Sequence, residues 1–229
     1  MRRLPIYLLV DTSSSMIGQP IAAVREGLHM MIEALRSDPY ALETAYISVI
    51  TFDSTARQTT PLTDLMSFQE PTLNAAGCTE MGKALLLLAD CVKREVKTGN
   101  AEEKADWRPL AFILTDGEPT DDIQPGINAI QEIKFGVFVA CAAGESANTD
   151  TLKRITPTVI SLNTADAESI KAFFQWVSKS VSVNSKKVNL NKQESNTPTN
   201  TESSASSNPP PAGDLGDLPP PPPEINVVL

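Results

Sequence analysis

Five short stretches of the chain are apolar at nearly every position: Ile6–Val10, Tyr46–Phe52, Leu110–Leu114, Phe135–Ala140 and, more weakly, Thr158–Leu162. Successive strand side chains point to opposite faces, so such a run describes a strand covered on both sides. Between these stretches the period changes. Ile21, Val24, Leu28, Met31 and Leu35 recur at spacings of three and four, which is one face of a helix. Pro20 precedes them, and its missing N–H costs nothing in a first helical turn. Met81, Ala84, Leu85, Leu88, Val92 and Val96 predict a second helix over about residues 80–97. A third, capped by Asp121 or Asp122, carries Ile127, Ile130 and Ile133. A fourth, over about residues 167–181, carries Ile170, Phe173, Phe174, Val177 and Val181.

Strands alternating with helices of this length predict an α/β fold. The expected architecture is a doubly wound, mostly parallel central sheet with helices on both faces. Tyr46–Asp53 and Ala56–Thr60 have no helix between them and read as a hairpin, placing one antiparallel strand at an edge. In open sheets of this kind ligands bind beyond the carboxyl ends of the strands, where the strand order reverses. Asp11 and Asp116 follow two of the predicted strands and fall there.

The pattern stops near residue 184. From Asn184 to Leu229 there is no aromatic residue, while proline runs at Pro209–Pro211 and Pro219–Pro223 alternate with Ser- and Asn-rich stretches. Such a composition cannot bury a core. The expected organisation is therefore one domain over residues 1–183 and a disordered Ser/Asn/Pro-rich tail over 184–229.

Composition narrows the functional classes. A chain of 229 residues with 41% hydrophobic but only 5% aromatic content suits a single aliphatic core. The net charge of -9 repels phosphate backbones, and with no basic patch the expectation is no nucleic-acid partner. Cys78, Cys91 and Cys141 are odd in number and lack metal-knuckle spacing. Buried free thiols in a reducing compartment fit them better than disulfides. Arg2 and Arg3 precede an apolar run, but it ends at Asp11 with no small-residue cleavage site after it, so a strand is a better reading than a signal peptide. No apolar run approaches the roughly 18 residues that a membrane span requires. The expected location is cytoplasmic.

The candidate chemistry lies in three segments. Asp11-Thr12-Ser13-Ser14-Ser15 follows the first strand and offers one carboxylate and two hydroxyls at alternate positions. Gly77-Cys78-Thr79 opens the second helix and adds a hydroxyl. Thr115-Asp116-Gly117 follows a later strand and turns at its glycine. All the donors are oxygen. A hard cation such as Mg²⁺ takes about six oxygens and keeps some as water, so Mg²⁺ or Mn²⁺ is the expected metal and zinc is not.

Together these segments resemble the metal-ion-dependent adhesion site of von Willebrand factor A domains. They occur in that family's order, and the resemblance covers about residues 4–182. It implies that Ser13, Ser15 and Thr79 are direct ligands, that Asp11 and Asp116 act partly through water, and that a partner protein supplies a carboxylate to the open position. That family often has Gly or Ser where Cys78 stands. The opening Arg3-Leu4-Pro5-Ile6-Tyr7-Leu8-Leu9-Val10-Asp11-Thr12-Ser13 is similar to TerY-like proteins of bacterial tellurium-resistance neighbourhoods, encoded beside kinase-like and phosphatase-like proteins. This similarity implies an adaptor or scaffold role in a stress-response system.

Two other readings use the same residues differently. A haloacid-dehalogenase-like phosphatase would use Asp11 as nucleophile. Residue 13, however, is Ser where such enzymes carry a second Asp, and no matching Lys motif is evident. Alternatively, the domain is structural and the proline-rich tail docks to another protein. Glu118, Asp121 and Asp122 read as turn and capping groups, Asp53 as a solvated hairpin residue and His29 as a surface residue. No nucleophile elbow or phosphate-binding loop is present in the sequence.

Overall fold

The computed structural model describes residues 2–99, 104–144, 147–162, 164, 166–193 and 218–228. Its elements are β1 (Leu4–Asp11), α1 (Gln19–Arg36), α2 (Pro39–Thr44), β2 (Ala45–Phe52), β3 (Ala56–Asp64), α3 (Met81–Glu95), β4 (Leu110–Thr115), α4 (Gln124–Gln131), β5 (Val137–Ala143), α5 (Thr149–Ile155), β6 (Val159–Leu162), α6 (Ala167–Gln193) and β7 (Ile225–Val228). The strands form one sheet in the order β3-β2-β1-β4-β5-β6-β7. Pairs β2–β1, β1–β4, β4–β5 and β5–β6 are parallel, whereas β3 and β7 pair antiparallel at the two edges.

The sheet divides the core. Leu4, Ile6, Leu8 and Val10 of β1 face the side covered by α1, α2 and α6. Tyr7 and Leu9 face the side covered by α3, α4 and α5. All eight β1 residues are buried, which is why the strand shows no polar alternation in sequence. The largest buried side chain, Trp176 of α6, meets the Phe112 ring of β4 edge-on with centroids 6.4 Å apart. At the opposite end of β1 from Asp11, Arg3 is fastened to the nearly buried Asp106, whose Oδ1 lies 3.0 Å from its Nε. The Glu95 carboxylate at the end of α3 accepts from Tyr7 Oη at 3.1 Å and from Gln58 Nε2 at 2.9 Å.

Several expectations are corrected. The helix after β4 begins at Gln124, without a side-chain cap bond at its N-cap. Asp122 Oδ1 accepts from Gln124 N, the first amide of that helix, at 2.9 Å. Asp121 instead caps α3, its two oxygens accepting from Gly82 N and Lys83 N at 2.9 Å each. Two orphan amides at a helix start thus find their acceptor on a distant loop. Replacing Asp121 with Ala should cost about 1 kcal/mol, read as a lower urea midpoint at unchanged slope.

The tail boundary also moves. Residues expected to be disordered from 184 onward continue α6 to Gln193, and Ile225–Val228 joins the sheet as β7. The sheet therefore has two antiparallel edges rather than one. Proline content averaged over the whole segment hides Ile225-Asn226-Val227-Val228, a short β-branched run free of proline. The intervening residues 194–217 lie outside the described residues. Cys91 and Cys141 are buried as expected, but Cys78 is exposed. Burial pushes the Cys91 thiol up to about 11 and that of Cys141 well above its usual value. Among the described residues no helix is long and apolar enough to cross a membrane.

Candidate metal centre

The strand order reverses between β1 and β4. From β1 the chain winds outward to β2 and β3, then returns to place β4 on the other side of β1. Connections leave β1 and β4 in opposite directions, opening a crevice at their carboxyl ends. The register pairs Val10 with Leu114, so Asp11 and Thr115 emerge side by side at the crevice. Thr115 Oγ1 donates to Asp11 Oδ2 at 2.6 Å, and Asp11 Oδ1 accepts from Ser13 N at 2.8 Å. Asp11 and Thr115 are both fully buried. Burial raises the Asp11 carboxyl above its ordinary range, opposed by the hydrogen bonds from Thr115 and Ser13.

Beyond Asp11 the chain enters a 3-10 turn over Ser14–Met16. Buried Met16 anchors that turn in the core, while Ser14 and Ser15 face solvent. The Ser13 and Ser15 hydroxyls lie 2.9 Å apart, and Ser15 Oγ donates to Asp116 Oδ1 at 2.6 Å. The alternating spacing of Asp11, Ser13 and Ser15 thus becomes a continuous oxygen surface running to Asp116.

The third segment arrives along a different route. Ser14 N donates to Gly77 O at 3.0 Å, and Ala76 N donates to Thr12 O at 2.8 Å. Gly77 has φ +79°, where any side chain would be strained, and a Cβ there would run into the Ser54 hydroxyl. Thr79 is fixed by a reciprocal pair: its N–H donates to Thr120 Oγ1 at 3.2 Å, and its carbonyl accepts from Thr120 N at 2.9 Å. A Cβ built on Gly117 would stand 3.5 Å from Thr79 Oγ1 and 3.9 Å from Ser15 Oγ. The two hydroxyls therefore border one space over Gly117.

The five sequence-predicted residues Asp11, Ser13, Ser15, Thr79 and Asp116 accordingly come from three segments to one end of the sheet. Among the described residues no group of three or more His, Cys, Asp or Glu is placed to hold a metal. The donors here are two carboxylates and three hydroxyls, a set suited to a hard divalent cation that retains water. The exposed Ser15 beside buried Ser13 and Asp116 leaves one side of the cluster facing solvent. Glu118, Asp121 and Asp122 stand apart in turn and capping roles, with Glu118 Oε2 accepting from Thr151 Oγ1 at 3.5 Å. His29 is exposed and its Nδ1 lies 2.9 Å from Glu70 Oε1. Asp53 Oδ1 accepts from Thr55 N at 2.9 Å within the hairpin turn.

Three supporting residues were missed: Thr115, which holds Asp11; Thr120, which holds Thr79; and Ser54, whose hydroxyl accepts from Cys78 N at 3.1 Å. Thr115 and Thr120 flank Asp116 and offer hydroxyls, a signal present in the sequence. Ser54 lies in the β2–β3 turn, and its relevance depends on a contact that no local pattern reveals.

A family model described as the von Willebrand factor type A domain matches residues 6–190. No curated protein sequence matches the chain. Solved structures similar to it include a von Willebrand factor type A protein from Catenulispora acidiphila (TM-score 0.60, 18% identity, 79% of this chain and 43% of that one). Another is proximal thread matrix protein 1 from the mussel byssus, in a form described as having a zinc-occupied MIDAS motif (TM-score 0.56, 18% identity, 80% of this chain and 46% of that one). A third is the pilus adhesin SpaC from Lactobacillus rhamnosus GG (TM-score 0.61, 13% identity, 80% of this chain and 31% of that one). The chain spans less than half the length of each of these proteins. At these identities the likeness is one of fold.

Proposed function

Because the chain belongs to the von Willebrand factor type A domain family, we propose that it is a non-enzymatic protein-interaction module that docks its partner through a divalent cation. The observation that carries this reading is the run of oxygens from Asp11 through Ser13 and Ser15 to Asp116, with Thr79 across Gly117, at the reversal of strand order. Ser13, Ser15 and Thr79 would hold Mg²⁺ or Mn²⁺ directly, with Asp11 and Asp116 acting partly through water. A cation held mainly by neutral hydroxyls keeps net positive charge, and it would supply an acceptor point for an aspartate or glutamate of the partner.

The chain's own groups prepare that point. Thr115 and the Ser13 amide orient the Asp11 carboxylate, and Thr120 fixes the backbone of Thr79. Solvent-facing Ser15 marks the side from which a carboxylate approaches. The same geometry weakens the phosphatase alternative. A nucleophilic carboxylate must face substrate, whereas Asp11 is fully buried and oriented by Thr115 and the Ser13 amide.

A finer reading follows from the resemblance of Arg3–Ser13 to TerY-like proteins. On it the module is a cytoplasmic adaptor or scaffold in a bacterial stress system of the tellurium-resistance type, with kinase-like and phosphatase-like partners. The net charge of -9 supports protein rather than nucleic-acid partners. Affinity capture from host lysate, with and without chelator, tests the proposal. Partners held by the wild type should be lost with chelator and from Asp116→Ala. Retention of the same partners in both conditions would overturn metal-dependent docking.

A further inference from the structure

The C-terminal segment is attached to the domain in the manner of a bound peptide. Residues Leu218–Val228 are joined to α6 only through residues 194–217. That stretch could reach on the order of 80 Å if extended, at about 3.4 Å per residue. The segment packs on the core through Leu218, Ile225, Val227 and Val228. Pro219 O accepts from the Trp176 indole at 2.8 Å. Ile225 is buried, while Val227 and Val228 are half-buried against opposite faces of the sheet edge. The four strand residues pair antiparallel with Val159–Leu162. Pro219 also walls an open groove of about 660 Å³ between Tyr40 of α2 and Ser178, Lys179 and Ser182 of α6.

These features are those of strand addition, in which main-chain bonds supply affinity and alternate side-chain positions supply selectivity. A four-residue ladder with one fully buried side chain is a weak lock. Asn226, exposed at its centre, is a poor strand former. A tethered segment resists a free competitor only through its effective concentration, of about millimolar for short tethers and less for long ones. We infer that the β6 edge is a peptide-binding site that the chain's own C-terminus occupies in cis. Its trans ligand is an extended partner segment with proline ahead of a short β-branched run. This site is separate from the metal cluster and does not depend on it.

The probe is a fluorescent peptide with the sequence of Pro219–Leu229, carrying Val at the position of Asn226. It should bind the full chain carrying Ile225→Asp, in which the cis strand is spoiled, at least tenfold more tightly than the unmodified chain. Equal affinity for the two chains, or no binding to an Ile225→Asp chain with native circular dichroism, would overturn the inference. Hydrogen exchange on the unmodified chain supplies a second measurement should that variant fold poorly. Excess peptide should speed exchange of the chain's own 225–228 amides while leaving 140–143 unchanged. No change at millimolar peptide would overturn the proposal. A concentration-dependent dimer that Ile225→Asp abolishes would instead assign the edge to a second copy of the chain.

Discussion

Asp11→Asn should abolish cation binding while leaving the metal-free protein as stable as the wild type at neutral pH, or more stable. The wild-type carboxylate is fully buried, and desolvation holds it above its ordinary range. A carboxyl whose folded-state pKa is raised contributes stability at low pH that is lost as pH rises through that value. Above that value, in chelator, the wild type carries a desolvated charge that an amide removes. The Asn oxygen can still accept from Ser13 N, and its NH₂ can donate to Thr115 Oγ1, so no polar group is orphaned. Added Mg²⁺ or Mn²⁺ should raise the wild-type melting temperature by mass action and leave that of Asp11→Asn unmoved. The wild-type increment should shrink in acid as Asp11 protonates. Thr115→Val, which removes the bond orienting Asp11 Oδ2 together with the longer bonds to Gly117, should weaken cation affinity by about tenfold or more. Thermal scans and calorimetric titration across pH check both outcomes. An unchanged cation response in Asp11→Asn would remove this carboxylate from the site.

Trp176→Ala should destabilise the fold severely, by roughly 3–5 kcal/mol. The indole is almost completely buried between the sheet and α6, and its ring meets Phe112 edge-on. It also holds the C-terminal segment through Pro219 O. Truncation would leave a cavity beneath α6 and free that carbonyl at once. Trp176→Phe separates the two effects. It retains an aromatic ring near Phe112 but cannot donate to Pro219, and should cost about 1 kcal/mol for the lost bond plus a packing term. Chemical denaturation gives the stability difference. Exchange at residues 225–228 tells whether the segment loosens before the domain does. Equal stability losses in the two variants would show that the hydrogen bond, rather than the packing, dominates.

How far the sequence could be read depended on the range of the interactions involved. β1 and α1 were legible because their periodicity is local and their environments simple: one is buried on both faces, the other on one. The short helices α2 and α5 carry too few turns to show a period and went unpredicted. Asp121 was recognised as a cap, but for the wrong helix. Side-chain chemistry announces a capping group, whereas which helix start it meets depends on how the loop after β4 crosses the start of α3. β7 was missed because a run of four residues within a proline-rich segment gains its strand character only from the β6 edge beside it.

For the candidate site, the sequence alone determined the donor chemistry. Asp11, Ser13, Ser15, Thr79 and Asp116 all carry side-chain oxygens, and their placement after strands or before a helix follows from local hydrophobic patterning. Only the tertiary structure decided that they share one space. That outcome rests on β4 returning to the far side of β1, on Gly77 admitting a left-handed turn against Ser54, and on Thr115 and Thr120 fixing their neighbours from across the crevice. Residue type carries hardness and charge. Convergence requires non-local pairing, whose geometry is set by the sheet as a whole and cannot be read from any one segment.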